Sequence, residues 1–329
     1  MKRCAYISGL LVVAGVMANA ASTVPYSEDF ESYAAGFEMP GTNGWSAAAS
    51  SDAVVSTNIA SVTALNAYSE LCGYPGGITS HTKLLEIVGT VTNSFTGSSQ
   101  QVWVDMMLQP GALASADAGL PSSANAAFYF NASGHPMVYH YDVGGSSNRW
   151  TEIPETTKTD WVRATTGLDY ATEYFQIKID GNLLTNALAN TAHDGTGASG
   201  GSWFKMPDSS GQLNQLVFSG GGGGDVDDLI VALVDPFSPI ISSFEHVSGD
   251  VFEMVVDFPV GNLMASPSSF SPIKSTDLVA GSWGSTTHST NGVDGWLDTD
   301  MDYSVGSGSS RTIYLQSTDP ATFFALEDN

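Results

Sequence analysis

The chain has 329 residues, with 10 lysine and arginine residues against 34 aspartate and glutamate residues, and a formal net charge of −24. A chain with so few cations has no basic patch for nucleic acid or an anionic membrane, because both are bound through clustered lysine and arginine. Hydrophobic residues make up 42% of the sequence, which is enough for a folded core and excludes a wholly disordered chain.

The first twenty residues have the pattern of a secretory signal peptide. Two basic residues precede an apolar stretch over residues 5–17, and an A-x-A cleavage signature ends at Ala20. The apolar stretch is too short to cross roughly 30 Å of hydrocarbon. We therefore predict a leader over residues 1–20 and a protein that is secreted, periplasmic or on the cell surface. Removal of the leader would leave Cys72 as the single cysteine, so no internal disulfide is expected.

Short candidate strands follow one another along the first part of the chain. They are rich in β-branched and aromatic residues and are bounded by Gly, Asn, Asp and Ser turns, the pattern of an antiparallel sandwich. The clearest are residues 101–106, 126–130, 137–141, 161–165 and 174–179. No segment combines a helix cap with a sustained helical stripe, and Leu183–Ala192 is the best candidate for a short helix.

A change of composition near residue 235 divides the chain. A strong candidate strand at 228–234 is followed by Pro236 and Pro239, and prolines stiffen a connection as an interdomain linker would. We predict a first domain over residues 21–235, a linker over 236–241 and a second, smaller all-β domain over 242–329. The predicted strands of the second domain are residues 251–258, 270–274, 301–305, 311–316 and 323–326.

Three segments of the first domain match the pattern of a known family of sandwiches. The run Asp29–Tyr33, followed by Gly44-Trp45, matches an opening strand and turn, and a tryptophan-led hairpin ends in an aspartate–glycine turn at Asp180. The run Gly224–Val231 matches a closing strand. Over residues 25–235 the chain resembles the laminin-G-like, concanavalin-A-like lectin and glucanase domains of exported bacterial proteins.

The resemblance implies an antiparallel jelly-roll β-sandwich. The second domain resembles the small β-sandwich domains appended to such proteins, which serve as spacers, anchors or sorting modules. The family includes lectins, adhesion modules and glycanases, so the resemblance specifies the fold more narrowly than the function.

Acidic residues of the first and last strands form a candidate metal site. The resemblance implies that these strands are neighbours and that a structural Ca²⁺ lies near their ends, with the candidate ligands Asp29, Glu31, Asp227 and Asp228. Carboxylates held together repel one another unless they are protonated or bridged by a hard cation such as Ca²⁺. The alternative is that these acids cap turns or face water. Asp298, Asp300 and Asp302 also share one strand face, where a solvated edge is favoured over a metal site.

Aromatic side chains are the remaining sign of a ligand. Sugar recognition places aromatic faces against C–H groups, while carboxylates and amides bond the hydroxyls. Trp103 and Trp161 lie within candidate strands and are expected in the core. The candidate platform for a glycan consists of Tyr139, Tyr141, Trp150 and Trp203. The alternative is that these rings fill the interior of the sandwich.

The sequence lacks the catalytic motif of the glucanases that share this fold. The resemblance would place it on one strand as E-x-D-x-x-E, and no such run occurs. Carboxylates from separate strands could still perform hydrolysis. The sequence therefore favours an exported, non-catalytic carbohydrate- or surface-binding protein with a structural Ca²⁺. The alternatives are a glycoside hydrolase or polysaccharide lyase of the same fold and a purely structural surface or adhesion component.

Overall fold

The computed structural model describes the chain at residues 5–7, 21–72, 80–96, 100–110, 124–154, 156–208, 211–219, 224–236, 240–257, 270–275, 284–285, 288–289, 310–316 and 323–328. Two compact units are present. The first comprises Met1–Glu70 and Gly77–Pro236, and the second comprises Leu71–Gly76 and Phe237–Asn329. Within the described ranges, no helix combines the length and the apolar character needed to span a membrane.

The first unit is built from short strands and residues 59–70 of the single described α-helix, α1 (Ile59–Cys72). Its strands are β1 (Ala5–Ile7), β2 (Ser22–Thr23), β3 (Tyr26–Glu28), β4 (Trp45–Ala47), β5 (Ala53–Ser56), β6 (Leu84–Ile87), β7 (Thr90–Thr96), β8 (Gln101–Gln109), β9 (Ala127–Phe130), β10 (Pro136–Asp142), β11 (Ser147–Glu152), β12 (Val162–Asp169), β13 (Tyr174–Ile179), β14 (Asn182–Leu183), β15 (Phe204–Lys205), β16 (Gln215–Ser219) and β17 (Gly224–Ala232). A 3-10 turn at Ser50–Asp52 precedes β5.

These strands form two layers around a main apolar core. One layer is a nine-stranded sheet with the order β14-β13-β12-β8-β17-β6-β5, in which β15 pairs with β13 and β3 pairs with β17. The other layer contains a five-stranded sheet, β1-β16-β7-β2 with β4 on β7, and the three-stranded sheet β11-β10-β9. Val104, Phe128 and Phe218 come from these three sheets and are all buried in the core. The predicted all-β sandwich is confirmed.

The first and last strands of the sandwich lie side by side, as the resemblance implies. Glu28 of β3 pairs with Leu229 of β17 in an antiparallel ladder. Strand β17 also pairs with β6 and β8, so it is a central strand of the nine-stranded sheet. Of the predicted leader, the structure describes Ala5–Ile7, which pairs in parallel with β16.

The prediction of a short helix at residues 183–192 is wrong, and the helix that the structure contains was not predicted. Residues 183–192 contain the end of β14 and turns, whereas Ile59–Cys72 forms α1. Asn58 caps α1, because its side-chain oxygen accepts a hydrogen bond from the Ala60 amide at 3.1 Å. Leu65 of α1 packs against a small buried cluster that includes Met107 of the sheet. Small and polar residues weaken the helical stripe of α1, and packing against the sheet stabilises it instead.

The second unit contains two smaller sheets. Their strands are β18 (Ile240–Ser248), β19 (Val251–Asp257), β20 (Phe270–Ser275), β21 (Gly284–Ser285), β22 (His288–Ser289), β23 (Ser310–Gln316) and β24 (Phe323–Asp328). The sheet orders are β18-β19-β23-β22 and β21-β20-β24. Met254 and Val256 of β19 and Ile313 and Leu315 of β23 are buried. The predicted strand at 301–305 and the aspartates at 298, 300 and 302 lie outside the described residues.

A buried ion pair joins two central strands on the sheet face that points away from the main core. Arg163 of β12 and Asp105 of β8 are both fully buried. The Nε of Arg163 donates to Asp105 Oδ2 at 3.0 Å, and its Nη2 donates to the same oxygen. The Thr165 hydroxyl donates to the other carboxylate oxygen at 2.6 Å. Both carboxylate oxygens of Asp105 thus accept hydrogen bonds, and the guanidinium of Arg163 stabilises the buried negative charge.

Arg163→Met is expected to lower the free energy of unfolding of the protein by about 3–5 kcal/mol, because it leaves the Asp105 carboxylate buried without its cation. Arg163→Met combined with Asp105→Leu should recover most of this loss, because the buried charge is gone. Urea unfolding followed by near-ultraviolet circular dichroism measures both changes. Arg149→Met is the control, since it breaks an ion pair at an exposed arginine and should cost much less. Equal losses in the single and double variants would contradict the prediction.

Candidate functional site

Asp227 and Asp228 lie together because strand β17 contains a β-bulge. Asp227 pairs with Met107 of β8, and Ile230 pairs with Asp105, so β17 has one extra residue between the two pairs. Asp228 lies in the left-handed region with a φ of +45°. Such a backbone is uncommon for a residue other than glycine and bends the strand. The bulge shifts the alternation of β17, which brings two consecutive carboxylates to one buried histidine.

His81, which precedes β6, faces both carboxylates. Its Nδ1 lies 2.9 Å from Oδ2 of Asp227, and its Nε2 lies 3.9 Å from Oδ2 of Asp228. One candidate ligand atom from each of the three side chains lies within 4.8 Å of the other two. His81 Nδ1, Asp227 Oδ2 and Asp228 Oδ2 are all buried without an aligned hydrogen bond. Such a group could hold a metal ion, and we term it the His81 centre.

The charges of the His81 centre depend on one another. Burial raises the pKa of Asp227 to about 7, although His81 opposes this change. Burial also raises the pKa of Asp228. Burial disfavours a charged imidazole, but the two carboxylates outweigh it and raise the pKa of His81. The centre therefore has a high affinity for positive charge, which a proton or a metal ion can supply.

Ser69 of α1 determines which nitrogen of His81 carries hydrogen. The Ser69 hydroxyl donates to the Leu65 carbonyl at 2.8 Å, and its oxygen lies 3.0 Å from His81 Nε2. With the hydroxyl hydrogen on Leu65, Ser69 Oγ accepts a hydrogen bond from Nε2–H of His81. Sδ of Met107, 3.6 Å from Oγ, is a second acceptor for the same hydrogen. A nucleophilic serine would instead donate its hydrogen to the histidine. With Ser69 3% and His81 1% exposed, the Ser69–His81–Asp227 alignment is a buried support for the centre and not an accessible nucleophilic site.

Asp29 and Glu31 lie beside the His81 centre and not within it. Glu31 Oε1 accepts hydrogen bonds from the amides of Thr82 and Lys83 at 2.6 and 2.8 Å, which fixes the segment that follows His81. Asp29 Oδ1 accepts from the Glu31 amide at 3.1 Å. Of the four predicted ligands, the structure thus brings Asp227 and Asp228 together and uses the other two in local hydrogen bonds.

His81 is the member of the centre that sequence reasoning missed. Its spacing from any other histidine matches no metal-binding pattern, and Asp227 and Asp228 lie far along the chain. The pairing of β17 with β6 brings the two segments together. The one available signal was the adjacent pair Asp227-Asp228 directly before the apolar run Leu229–Ala232, since carboxylates drawn into a buried strand need a positive partner.

Trp150 and Tyr139, two of the predicted platform residues, contact each other on the three-stranded sheet. Trp150 of β11 packs against Tyr139 of β10 with ring centroids 5.1 Å apart, and against Tyr129 of β9 with ring centroids 4.9 Å apart. Tyr139 is only 2% exposed, whereas Trp150 is half-buried. A ligand at this place would therefore meet Trp150, with Tyr139 acting as its support.

Tyr141 and Trp203 make contacts of a different kind. The ammonium group of Lys205 lies 5.8 Å from the ring centroid of Tyr141. The ring of Trp203 lies 5.8 Å from that of His193 in an edge-to-face arrangement. Both rings are partly exposed. They are accessible to a ligand, and their role in a glycan platform stays a prediction.

Trp103 lies on the outer face of the nine-stranded sheet and not in the core. It stands on β8 between the core residues Val102 and Val104, so its side chain points to the opposite face, where it is half-buried. Gly167 of β12 is its direct partner in the ladder. A Cβ on Gly167 would lie 2.6 and 2.7 Å from two carbons of the indole ring. The absence of a side chain at Gly167 therefore lets the indole rest against the sheet.

Polar side chains surround Trp103 on this face. Gln101 is exposed two positions earlier on β8, and Gln176 of β13 pairs with Gly167. The Lys178 ammonium lies 5.3 Å from the centroid of the Trp103 ring. We term this region the Trp103 surface, formed by Gln101, Trp103, Gly167, Gln176 and Lys178. Helix α1 covers the same face at Met107, roughly 13 Å farther along β8.

Comparisons with known proteins give a partial likeness to carbohydrate-active sandwiches. No protein-family model matches the sequence, and no curated protein matches it. A sialidase shares 12% identity at a TM-score of 0.32, over 46% of this chain and 15% of the sialidase. Domain 4 of AbnA, a GH43 extracellular arabinanase from Geobacillus stearothermophilus in complex with arabinotriose, shares 14% identity at a TM-score of 0.30, over 50% of this chain and 76% of that domain.

A further similar structure is the alginate lyase Aly36B, as a mutant in complex with alginate tetrasaccharide. It shares 12% identity at a TM-score of 0.32, over 65% of this chain and 98% of the lyase. At such identities and scores the likeness concerns the sandwich architecture, and no activity follows from it. The functional argument therefore depends on the residues of this chain.

Gly167→Ala is expected to lower the free energy of unfolding by about 1–3 kcal/mol, because the new methyl group collides with the Trp103 ring and displaces it. Chemical denaturation measures the loss, and tryptophan fluorescence reports the displaced indole. Gly211→Ala is the matched control, because nothing lies within 4 Å of a Cβ there. Its change should stay within about 0.5 kcal/mol. Equal losses in both variants would show that the indole does not rest on Gly167.

Proposed function

We propose that this chain is an exported, non-catalytic carbohydrate-binding protein whose sandwich binds a neutral glycan at the Trp103 surface. One observation carries the proposal: a partly exposed indole rests against Gly167 on the outer sheet face. The same face holds the exposed Gln101, which also donates to Asp169, and Gln176, which is 8% exposed. The export of the protein is the prediction made from residues 1–20.

The chemistry of the Trp103 surface matches that of a sugar ring. The C–H groups of a sugar are apolar and can pack on an aromatic face, as other apolar groups do. Its hydroxyls both donate and accept hydrogen bonds, and the amide of the exposed Gln101 offers both functions. The backbone of β12 already holds the indole in place. Binding therefore costs little side-chain entropy at Trp103.

The arrangement of charges favours a neutral glycan over an acidic one. The described residues of the first unit include six lysines and arginines, and five of them contact a carboxylate. The sixth, Lys205, lies over Tyr141. At the Trp103 surface itself, Lys178 pairs with Asp235. A polymer of uronate or sialate would find these cations already paired and would be repelled by a chain of net charge −24.

The competing function is a glycoside hydrolase or polysaccharide lyase. A hydrolase of this type needs two carboxyl groups about 5–9 Å apart with the sugar between them. Asp227 and Asp228 are close enough in space, but their side chains are 0% and 5% exposed and meet His81 instead of a cleft. The Trp103 surface supports binding without requiring either reaction.

Trp103→Ala is expected to weaken glycan binding at least about tenfold, about 1.4 kcal/mol, because the ring supplies the central apolar contact. The test applies protein expressed from the full sequence to immobilised neutral polymers (glucan, xylan, arabinan) and acidic ones (alginate, polygalacturonate). Trp150→Ala is the matched control, because Trp150 is equally half-buried but lies on the other layer. Binding to the neutral polymers should persist at about 0.5 M salt, where exposed charges are screened.

Three results would contradict the proposal. If Trp150→Ala abolishes binding and Trp103→Ala does not, the glycan binds at the predicted platform of Tyr141, Trp150 and Trp203. If the immobilised polymer is shortened during the assay, the protein is an enzyme. If neither class of polymer is bound, the purely structural role is favoured.

A further inference from the structure

We propose that His81, Asp227 and Asp228 bind a transition-metal ion of the Zn²⁺ class, and not the Ca²⁺ that the family resemblance implies. This inference is independent of glycan binding. It depends on the donor atoms of the His81 centre and on the side chains that hold them in place.

The donor set fits Ca²⁺ poorly. Ca²⁺ takes about six to eight oxygen ligands, mostly from carboxylates, carbonyls and water. Here an imidazole nitrogen is in the centre. Glu31, which was expected to take part, accepts the Thr82 and Lys83 amides on Oε1 and the Thr82 hydroxyl on Oε2. One nitrogen and two carboxylate oxygens are the donors that suit Zn²⁺ and related divalent metals.

When Nε2 of His81 carries the hydrogen, Nδ1 has a lone pair that can bind a metal. When Ser69 donates its hydroxyl hydrogen to Leu65, its oxygen accepts from Nε2–H of His81. In a neutral imidazole, Nδ1 then carries a lone pair that points toward Oδ2 of Asp227, 2.9 Å away. Two electron-rich atoms this close repel one another unless a cation lies between them. The alternative is a proton held between Nδ1 and Oδ2 at this distance, and the metal titration below distinguishes it from a metal ion.

The spacing of the donor atoms is suitable for a metal. Zn²⁺ binds nitrogen and carboxylate oxygen at about 2.0–2.2 Å, so neighbouring ligands in a tetrahedron lie roughly 3.3 Å apart. The three candidate donor atoms lie within 4.8 Å of one another, and two of them are already 2.9 Å apart. Asp228 Oδ2 lies 3.9 Å from Nε2 of His81, so the Asp228 side chain must turn toward Nδ1 to complete the site.

The surrounding hydrogen bonds are those expected around a metal site. Ser69 orients the ring of His81, and the Asn66 side chain bonds both the amide and the carbonyl of the His81 backbone, at 2.6 and 2.8 Å. Asp227 accepts the Asp228 amide on Oδ1 at 2.8 Å, which leaves Oδ2 for the ion. Such outer contacts set the tautomer and position of metal ligands and usually change affinity about 10–100-fold.

The test is the metal content and Zn²⁺ affinity of the full-sequence protein, purified without a histidine tag. Elemental analysis should find about one Zn²⁺ or related ion per chain. After the metal is removed, titration with Zn²⁺ against a chromophoric chelator should give one tight site. Ca²⁺ in excess should not displace the bound Zn²⁺. Ser69→Ala should weaken Zn²⁺ binding about 10–100-fold, because it frees the ring of His81.

His81→Ala should abolish the site, and Asp228→Asn should weaken Zn²⁺ binding at least about tenfold while preserving shape. His135→Ala is the matched control, because His135 lies near the surface and pairs with Glu152. It should bind Zn²⁺ as the unmodified chain does. Circular dichroism verifies the fold of each variant, so Asp228→Asn and Ser69→Ala remain informative if His81→Ala fails to fold.

Three outcomes would overturn the inference. A chain that binds no Zn²⁺, and whose melting temperature is unchanged by a chelator, holds a proton in the His81 centre. A chain that binds only Ca²⁺ has an oxygen site elsewhere. Unchanged Zn²⁺ affinity in folded Asp228→Asn and Ser69→Ala would place the ion outside this centre. Glycan binding at the Trp103 surface is unaffected by any of these outcomes.

Discussion

The bulge in β17 is the constraint on which the functional architecture of the first unit depends. Strand β17 is a central strand that pairs with β3, β6 and β8. A regular strand would place one of two consecutive aspartates toward the core, where an unpaired carboxylate is costly. The bulge, with Asp228 in a left-handed conformation, brings both carboxylates to His81 while Leu229 remains in the core. The burial of Leu229 in the core and the candidate metal centre therefore have one cause.

The outer face of the nine-stranded sheet is covered at one end of β8 and partly exposed to solvent at the other. Near Met107 it is covered by α1 and borders the His81 centre, whereas at Trp103 it carries a partly exposed ring. Between them, the buried Arg163–Asp105 pair fixes the register of β8 and β12. That same register places Gly167 under the indole. The Arg163–Asp105 pair and the Trp103 surface thus share strands β8 and β12. Loss of the ion pair would therefore destabilise the strands that carry the surface.

The sequence predicted the β-sandwich more completely than it predicted the residues of the His81 centre and the Trp103 surface. Turn-bounded strands specify a sandwich because each strand must bury one face, and this local pattern survives in β8, β10, β12 and β13. Helix α1 was missed because its packing partners, such as Met107, come from another part of the chain. The same limit applies to His81 and Gly167. Their roles arise from strand pairing across long sequence distances, which periodicity does not encode.

The most direct test of the proposed function is to observe the indoles during glycan binding. The chain has seven tryptophans, whose indole N–H signals can be followed by ¹⁵N nuclear magnetic resonance, with Trp103→Phe used to assign one of them. During titration with a neutral oligosaccharide, the Trp103 signal should show the largest shift and the Trp150 signal should stay in place. A dominant shift of the Trp150 or Trp203 signal, with Trp103 unchanged, would contradict the account.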